Sequence, residues 1–305
     1  MQIKEAVIII RFIMFIIRLM PHRLALAFGR SLGRLLRLIL WKKTDRCESR
    51  CVMSLGVGVT TAREIIRKFF MHFRMSVIEF IRVPVIKPRI KDFVNFQPES
   101  VKLFREAIEK GKGVIVMDTH MGNWEISAIR VAAEGFEVCP IATQQRNDAG
   151  VNDIVNEIRS LTPEVRLIDS SNGLREVIRT LRAGGVVVIM QDLDARKDGI
   201  ITNFLGMPAS THEGIVKLYR KFKCPVLPVR FMRDKDNPSH HQIIIPCDLS
   251  TQCDRNGLPF GEDMNGSLEM CNEIIESWIR DKPEQWMWLM DRWEYVFRQK
   301  AKKKS

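Results

Sequence analysis

Two ionisable side chains five positions apart, His120 and Glu125 in the run THMGNWE, stand just past the apolar segment GVIVMD at residues 113–118. An imidazole can take a proton from a hydroxyl near neutral pH, and a carboxylate on its other ring nitrogen fixes the tautomer and steadies the imidazolium. On a regular helix each residue turns about 100°, so positions five apart lie roughly 140° out of line. A tight turn must intervene for the two to meet, and Gly122 and Asn123 tolerate one. Arranged so, the stretch can form a dyad in which His120 is a general base oriented by Glu125. The plainer alternative on spacing alone is a structural histidine at a strand end.

The elements that must position these groups are legible in the hydrophobic pattern. Strand-like runs are GVIVMD (113–118), EVCPIAT (137–143), VRLID (165–169), GVVVIMQ (185–191), PVLPVRF (225–231) and QIIIPC (242–247). Helical periodicity fills the stretches 99–112, 151–160, 172–183, 211–223 and 265–281. Ser210 and Glu213 have the spacing of a capping box. Strands alternating with helices predict an α/β fold with a mainly parallel central sheet flanked by helices. Sites in such folds sit at the carboxyl ends of the strands, where His120 and, after VVVIMQ, Asp192 both fall.

Charge divides the chain unevenly. Residues 1–75 carry 15 Lys+Arg against 4 Asp+Glu, and the rest is nearly balanced, although the whole chain has a net charge of +12. The basic quarter is also the most apolar. AVIIIRFIMFIIRLM (6–20) is interrupted only by Arg11 and Arg18 and stopped by Pro21. At about 1.5 Å per residue that run reaches roughly 22 Å, short of a hydrocarbon core of roughly 30 Å. Arg30, Arg34 and Arg37 follow at i, i+4 and i+7, beside a broad leucine stripe. The pattern predicts a basic amphipathic membrane-anchoring segment over residues 1–45, lying against anionic membrane lipid, ahead of an α/β domain over 46–305.

Coupling of the charge to apolar sequence, with no nucleic-acid motif, argues against nucleic acid as a partner. Arginines inside the apolar run and the lack of a small-residue cleavage site argue against a secretory signal, so the body is expected on the cytoplasmic side. The seven cysteines are scattered and odd in number, which predicts reduced thiols and no zinc site. Asp192 and Asp194 are too few for a cation site, and no metal is expected.

THMGNWE resembles the His-x4-Glu motif of the bacterial lipid A late acyltransferases, the lauroyl and myristoyl transferases of lipopolysaccharide biosynthesis. The resemblance continues in order through ATQQRNDAGVNDIVNEIRS (142–160), the stretch LREVIRTLRAGGVVVIMQDLDARKDGIITNFLGMPASTHEG (174–214) and KPEQWMWLMDRW (282–293). It departs from the family pattern at Met290 and Asp291, where a histidine and an arginine are more usual, and in TQQRN.

The resemblance implies a glycerol-phosphate-acyltransferase-like fold at the cytoplasmic face of the cell inner membrane. It implies transfer of an acyl chain from an acyl carrier protein thioester to a hydroxyl of a lipid A precursor, with no cofactor beyond that co-substrate. His120 and Glu125 are then the catalytic residues, and Arg159, Asp192, Asn123 and Arg146 the substrate-binding candidates. Oxyanion donors are expected from the backbone near Gly122 or at the following helix start. Lacking a G-x-S-x-G elbow or a cysteine in the motif, the chain is expected to transfer directly, without an acyl-enzyme. The alternatives are an acyl-CoA-dependent enzyme acting on another glycolipid, such as a phosphatidylinositol mannoside, or a non-catalytic membrane-tethered binding protein.

Overall fold

The computed structural model describes residues 2–142, 149–170 and 173–302. Four long helices open the chain: α1 (Gln2–Leu19), α2 (His22–Ile39), α3 (Trp41–Leu55) and α4 (Val59–Ile81). Pro21, extended at φ −52° and ψ 142°, ends the first and leads into the second. α2 is clamped on α4 through its small residues. A Cβ at Gly29 would stand 2.7 Å from Ile78 Cγ1, and one at Gly33 2.5 Å from the carbonyl oxygen of Phe70. Residue 45, the expected end of the anchoring segment, falls inside α3.

In α1 the two arginines that interrupt the apolar run turn toward the protein. Arg11 pairs with Glu157 at 2.7 Å, and Arg18 Nε donates to the carbonyl of Ile81. Beside them runs a stripe of Ile8, Phe12, Phe15 and Leu19, at i, i+4, i+7 and i+11, all exposed. On α2, Leu24, Phe28, Leu32, Leu35 and Ile39 form a second exposed apolar stripe. Arg37 is turned inward to Glu48. Among the described residues no helix is long and apolar enough to cross a membrane.

Next come the short helices α5 (Val83–Ile86) and α6 (Ile90–Phe93), strand β1 (Val94–Phe96) and helix α7 (Pro98–Glu109). The central α/β alternation follows: β2 (Val114–Asp118), α8 (Trp124–Ala132), β3 (Val138–Ala142), α9 (Ala149–Ser160), β4 (Ile168–Asp169), α10 (Leu174–Arg182) and β5 (Val186–Met190). A hairpin, β6 (Ile200–Phe204) and β7 (Met207–Thr211), precedes α11 (Gly214–Phe222) and the strands β8 (Val226–Pro228), β9 (Arg230–Arg233) and β10 (His241–Ile244). The chain closes with α12 (Met264–Asp281) and α13 (Glu294–Lys302).

The expected parallel sheet is present, in the order β4-β3-β5-β2-β8. All five residues of β2 are buried, as a strand covered by helices on both faces must be. β5 runs in register with it, Asp118 opposite Met190, so the residues just beyond the two strands emerge side by side.

Three features differ from the sequence reading. PVLPVRF splits at Val229, its first part completing the main sheet as β8 and its second joining β10 and β1 in a smaller sheet. Ser210 is no helix cap: it lies in β7, paired with β6, and its hydroxyl donates to the carbonyl of Arg196. The β6–β7 hairpin itself, turning at Leu205 and Gly206 with φ of 51° and 79°, was unforeseen because its strands lack a clean apolar alternation.

Candidate active site

His120 stands two residues past the end of β2, and its ring nitrogen is bound by a carboxylate, though not the expected one. Asp192, two residues past β5, accepts Nδ1 on Oδ1 at 2.8 Å and the backbone N–H of His120 on Oδ2 at 2.9 Å. Trp286 Nε1 donates to the same Oδ2 at 2.9 Å. Asp192 is 1% exposed, so its charge is held by three donors with almost no water. With Nδ1–H donating, the lone pair falls on Nε2 of a side chain that is 17% exposed. Trp124 packs edge-on against the imidazole, ring centroids 5.1 Å apart.

Burial alone would lower the imidazole pKa, but the charge and hydrogen bond of Asp192 outweigh it and raise the ring above its ordinary value. Burial alone would raise Asp192; His120 and Trp286 reverse it, and the carboxyl stays below the usual range. Asp118, the last residue of β2, is a second buried carboxyl beneath the same imidazole. Burial pushes it up to about 7, against the hydrogen bond from Thr119 N–H, and the charge of Asp192 adds to the rise.

Glu125 takes a different partner from the one its spacing predicts. It lies in the first turn of α8, and Arg159 from α9 grips it with Nε to Oε2 at 3.1 Å and Nη2 to Oε1 at 2.5 Å. The expected Glu125–His120 contact is thus replaced by two pairs, His120 with Asp192 and Glu125 with Arg159. The physical reason is reach and charge. The parallel register sets Asp192 directly beside His120, while a guanidinium fork on α9 matches the Glu125 carboxylate bidentately. Arg146 lies outside the described residues.

Asn123 faces inward. At the N-cap position of α8 it makes no side-chain cap; its amide donates to Glu79 Oε2 at 2.8 Å and to the carbonyl of Ser76. Of the first-turn N–H groups of α8, that of Ile126 donates to the carbonyl of Asn123 at 3.2 Å, while those of Trp124 and Glu125 receive no side-chain cap, at the positive end of the helix four residues past His120.

Gly122, at φ +64°, is used up structurally. Its N–H donates to the carbonyl of Gln285 at 3.0 Å and its carbonyl accepts from Ser76 Oγ. A Cβ there would strike the carbonyl of Phe231 at 2.7 Å, so glycine is required. The oxyanion donor expected at Gly122 N–H is accordingly unavailable.

A buried charge cluster locks this turn from below. Glu79 on α4 is gripped by Arg233 at 2.6 and 2.7 Å and accepts His241 Nε2 at 3.0 Å, all three being 1 to 2% exposed. Gln285 clasps the backbone of Arg233, accepting its N–H and donating to its carbonyl. Burial would raise Glu79, but Arg233 and His241 hold it well below the carboxylate range; burial keeps His241 low and therefore neutral.

Sequence reasoning missed this cluster because Glu79 lies 154 and 162 residues from Arg233 and His241. It also missed Trp286 as a ligand of Asp192. The only signal was the PEQW run, which reads locally as a core aromatic. Trp286, Trp288 and Trp293 are indeed fully buried. Asp194 is a turn former, accepting the N–H groups of Arg196 and Tyr295. Among the described residues no three His, Cys, Asp or Glu side chains converge as a metal set.

Fold and site together define an α/β protein with a carboxylate-anchored histidine at the carboxyl ends of adjacent parallel strands. The family model described as bacterial lipid A biosynthesis acyltransferase matches residues 3–295, and the chain belongs to that family. It is similar to a lipid A biosynthesis acyltransferase of Haemophilus influenzae, 21% identical over 61% of this chain and 55% of that one. It is likewise similar to a lipid A biosynthesis lauroyltransferase of Escherichia coli, 23% identical over 62% of this chain and 59% of that one. The match thus spans less than two thirds of each relative.

Proposed function

We propose that the protein transfers a fatty acyl chain from a thioester on acyl carrier protein to a hydroxyl of a lipid A precursor, working at the membrane surface. One observation carries this reading: His120 Nδ1 is anchored by the buried Asp192, which leaves the basic Nε2 for a substrate, on a side chain that is 17% exposed. A lipid hydroxyl is a weak nucleophile at neutral pH, and a positioned base is its first requirement.

His120 Nε2 takes the hydroxyl proton as the oxygen attacks the thioester carbonyl carbon. The tetrahedral oxyanion is met by the N–H groups of Trp124 and Glu125 at the start of α8. Collapse breaks the carbon–sulfur bond, and the imidazolium returns its proton to the leaving thiolate, giving ester and free thiol. Asp192 steadies the imidazolium between these steps. Glu125 and Arg159 act as a pair that shapes the acceptor side of the site, and Asn123 holds the turn.

In this reading the exposed apolar stripes of α1 and α2 are the faces that meet the bilayer, and the excess positive charge of the N-terminal quarter supports attraction to anionic lipid and to an acidic carrier protein. The test is transfer of a labelled acyl chain in detergent, offering carrier-protein and coenzyme A thioesters in turn with a lipid A precursor. Labelled acceptor formed preferentially from the carrier protein supports the reading. Preference for coenzyme A moves the donor, and no transfer from any donor or chain length overturns the reaction.

A further inference from the structure

α3 presents Lys43, Arg46, Cys47 and Arg50 at i, i+3, i+4 and i+7, a single helical face, and with Leu289 they line a cavity of about 170 Å³. The roughly 10–15 Å³ that one water needs is far smaller. Arg50 forms a fixed wall: Nη1 donates to the carbonyls of Trp288 and Met290, and Nη2 to Asp291 Oδ2 at 2.6 Å. Cys47 Sγ donates to the carbonyl of Trp288, tying the helix to the same segment.

Lys43 and Arg46 form no ion pair with any described residue, so two cations face the cavity uncompensated. Glu48, off this face, is already held by Arg37 and Arg63. Exposed Leu38, Ile39 and Trp41 directly precede Lys43 in the chain.

We propose that this cavity is a binding site for a phosphoryl group carried by the acceptor glycolipid, held by Lys43 and Arg46 against the wall made by Arg50. Lysine offers a point charge and arginine a planar fork, the combination that grips phosphoryl oxygens. The acceptor, rather than bulk lipid, is the source because the segment that lines the cavity at Leu289 also carries Trp286, which holds the carboxylate partner of His120. Leu289 lies three residues past Trp286, the partner of Asp192, a reach of at most about 11 Å. A phosphate seated there fixes how far along the acceptor the reacting hydroxyl lies from His120. The assignment rests on the acyl-transfer reading for its purpose, yet binding can be measured without turnover.

The experiment titrates full-length protein in detergent with two acceptor glycolipids lacking the reacting hydroxyl, one phosphorylated and one not. The parent is compared with K43A/R46A and with K42A/R63A, which removes the same charge from other faces; flotation is run alongside on zwitterionic vesicles with and without phosphatidylglycerol. The expected result is that the parent prefers the phosphorylated acceptor about ten-fold or more and that K43A/R46A abolishes the preference while K42A/R63A keeps it. Three results overturn the proposal: no preference in the parent, equal loss in the control variant, or loss of flotation on anionic vesicles with the acceptor preference intact. The last would make the cavity a bulk headgroup site. Because transfer is scored separately, a parent that discriminates without turning over removes the acyltransferase reading and keeps the site, and the converse removes only the site.

Discussion

Replacing Asp192 by asparagine keeps shape and removes charge, and the geometry dictates what the ring must then do. Oδ2 receives two donors, His120 N–H and Trp286 Nε1, while Oδ1 receives one, His120 Nδ1. The new amide has two orientations. With its carbonyl at the Oδ2 place it keeps two donors and turns its NH2 to Nδ1, which forces the ring proton onto Nε2 and leaves no lone pair for the substrate. The reverse orientation keeps the productive tautomer but leaves two buried donors unsatisfied, at roughly 1–3 kcal/mol each. The unproductive form is therefore favoured by about 2–6 kcal/mol, a depletion of the working tautomer of about 30-fold to 10⁴-fold. Loss of imidazolium stabilisation adds to it. We expect kcat/KM to fall by about 10² to 10⁴, with the folded state preserved. The assay is the initial rate of labelled acyl transfer, with a thermal melt on the same sample. A folded Asp192→Asn protein within ten-fold of the parent refutes the anchoring role.

Five further outcomes follow from the same geometry. The pH profile of kcat/KM should rise through a midpoint above the ordinary imidazole value of about 6.5, because Asp192 raises His120 and only the neutral ring is a base; a midpoint below 6.5 contradicts the pair. Glu125→Gln and Arg159→Met should each cost less than Asp192→Asn, about 10² at most, and the double variant no more than either, since the two act as a unit. A larger loss in Glu125→Gln than in Asp192→Asn would return the orienting role to Glu125. Arg233→Met strands a buried carboxylate and should destabilise by about 3–5 kcal/mol, a fall in Tm of roughly 10 °C. Glu79 has its folded pKa below its unfolded value, so its contribution is present above about pH 4.3 and lost as pH falls; Glu79→Gln should flatten that acid limb of the melt curve. On α1, Phe12→Asp with Phe15→Asp removes two exposed rings worth about 1.5–3 kcal/mol each on burial, and vesicle flotation should drop at least ten-fold; unchanged flotation would show that this face does not meet lipid.

The parallel sheet was legible because its strands are short apolar runs ended by polar residues, and periodicity alone locates such runs. His120 and Asp192 were each visible as strand-end groups. Their partnership was not, because a five-residue motif draws attention to Glu125, whereas the true neighbour is 72 residues away and is brought in by strand register. In the structure β2 and β5 end in register at Asp118 and Met190, so residues 120 and 192 stand equally far past them, a match that the apolar run 185–191, ending one residue beyond the strand, obscures. The hairpin of β6 and β7 was opaque for a different reason: its alternation is broken by Ile201, apolar but exposed, and Thr202, polar but buried, and it is tied to the C-terminal segment by hydrogen bonds from Trp293 and Arg292. Arginines inside an apolar run read as interruptions of a membrane face, yet Arg11 and Arg18 face the protein and leave the apolar stripe continuous. Only the positions of Glu157 and Ile81 decide that, and both are set by the tertiary fold.

The measurement that bears most directly on the account is acyl transfer by His120→Ala beside the parent chain, at saturating donor and acceptor and with matched melts. The account predicts loss of at least about 10³ in rate with Asp192 substitution adding nothing further, because the carboxylate acts only through the imidazole. Transfer that survives in a folded His120→Ala protein would place the base elsewhere and contradict it.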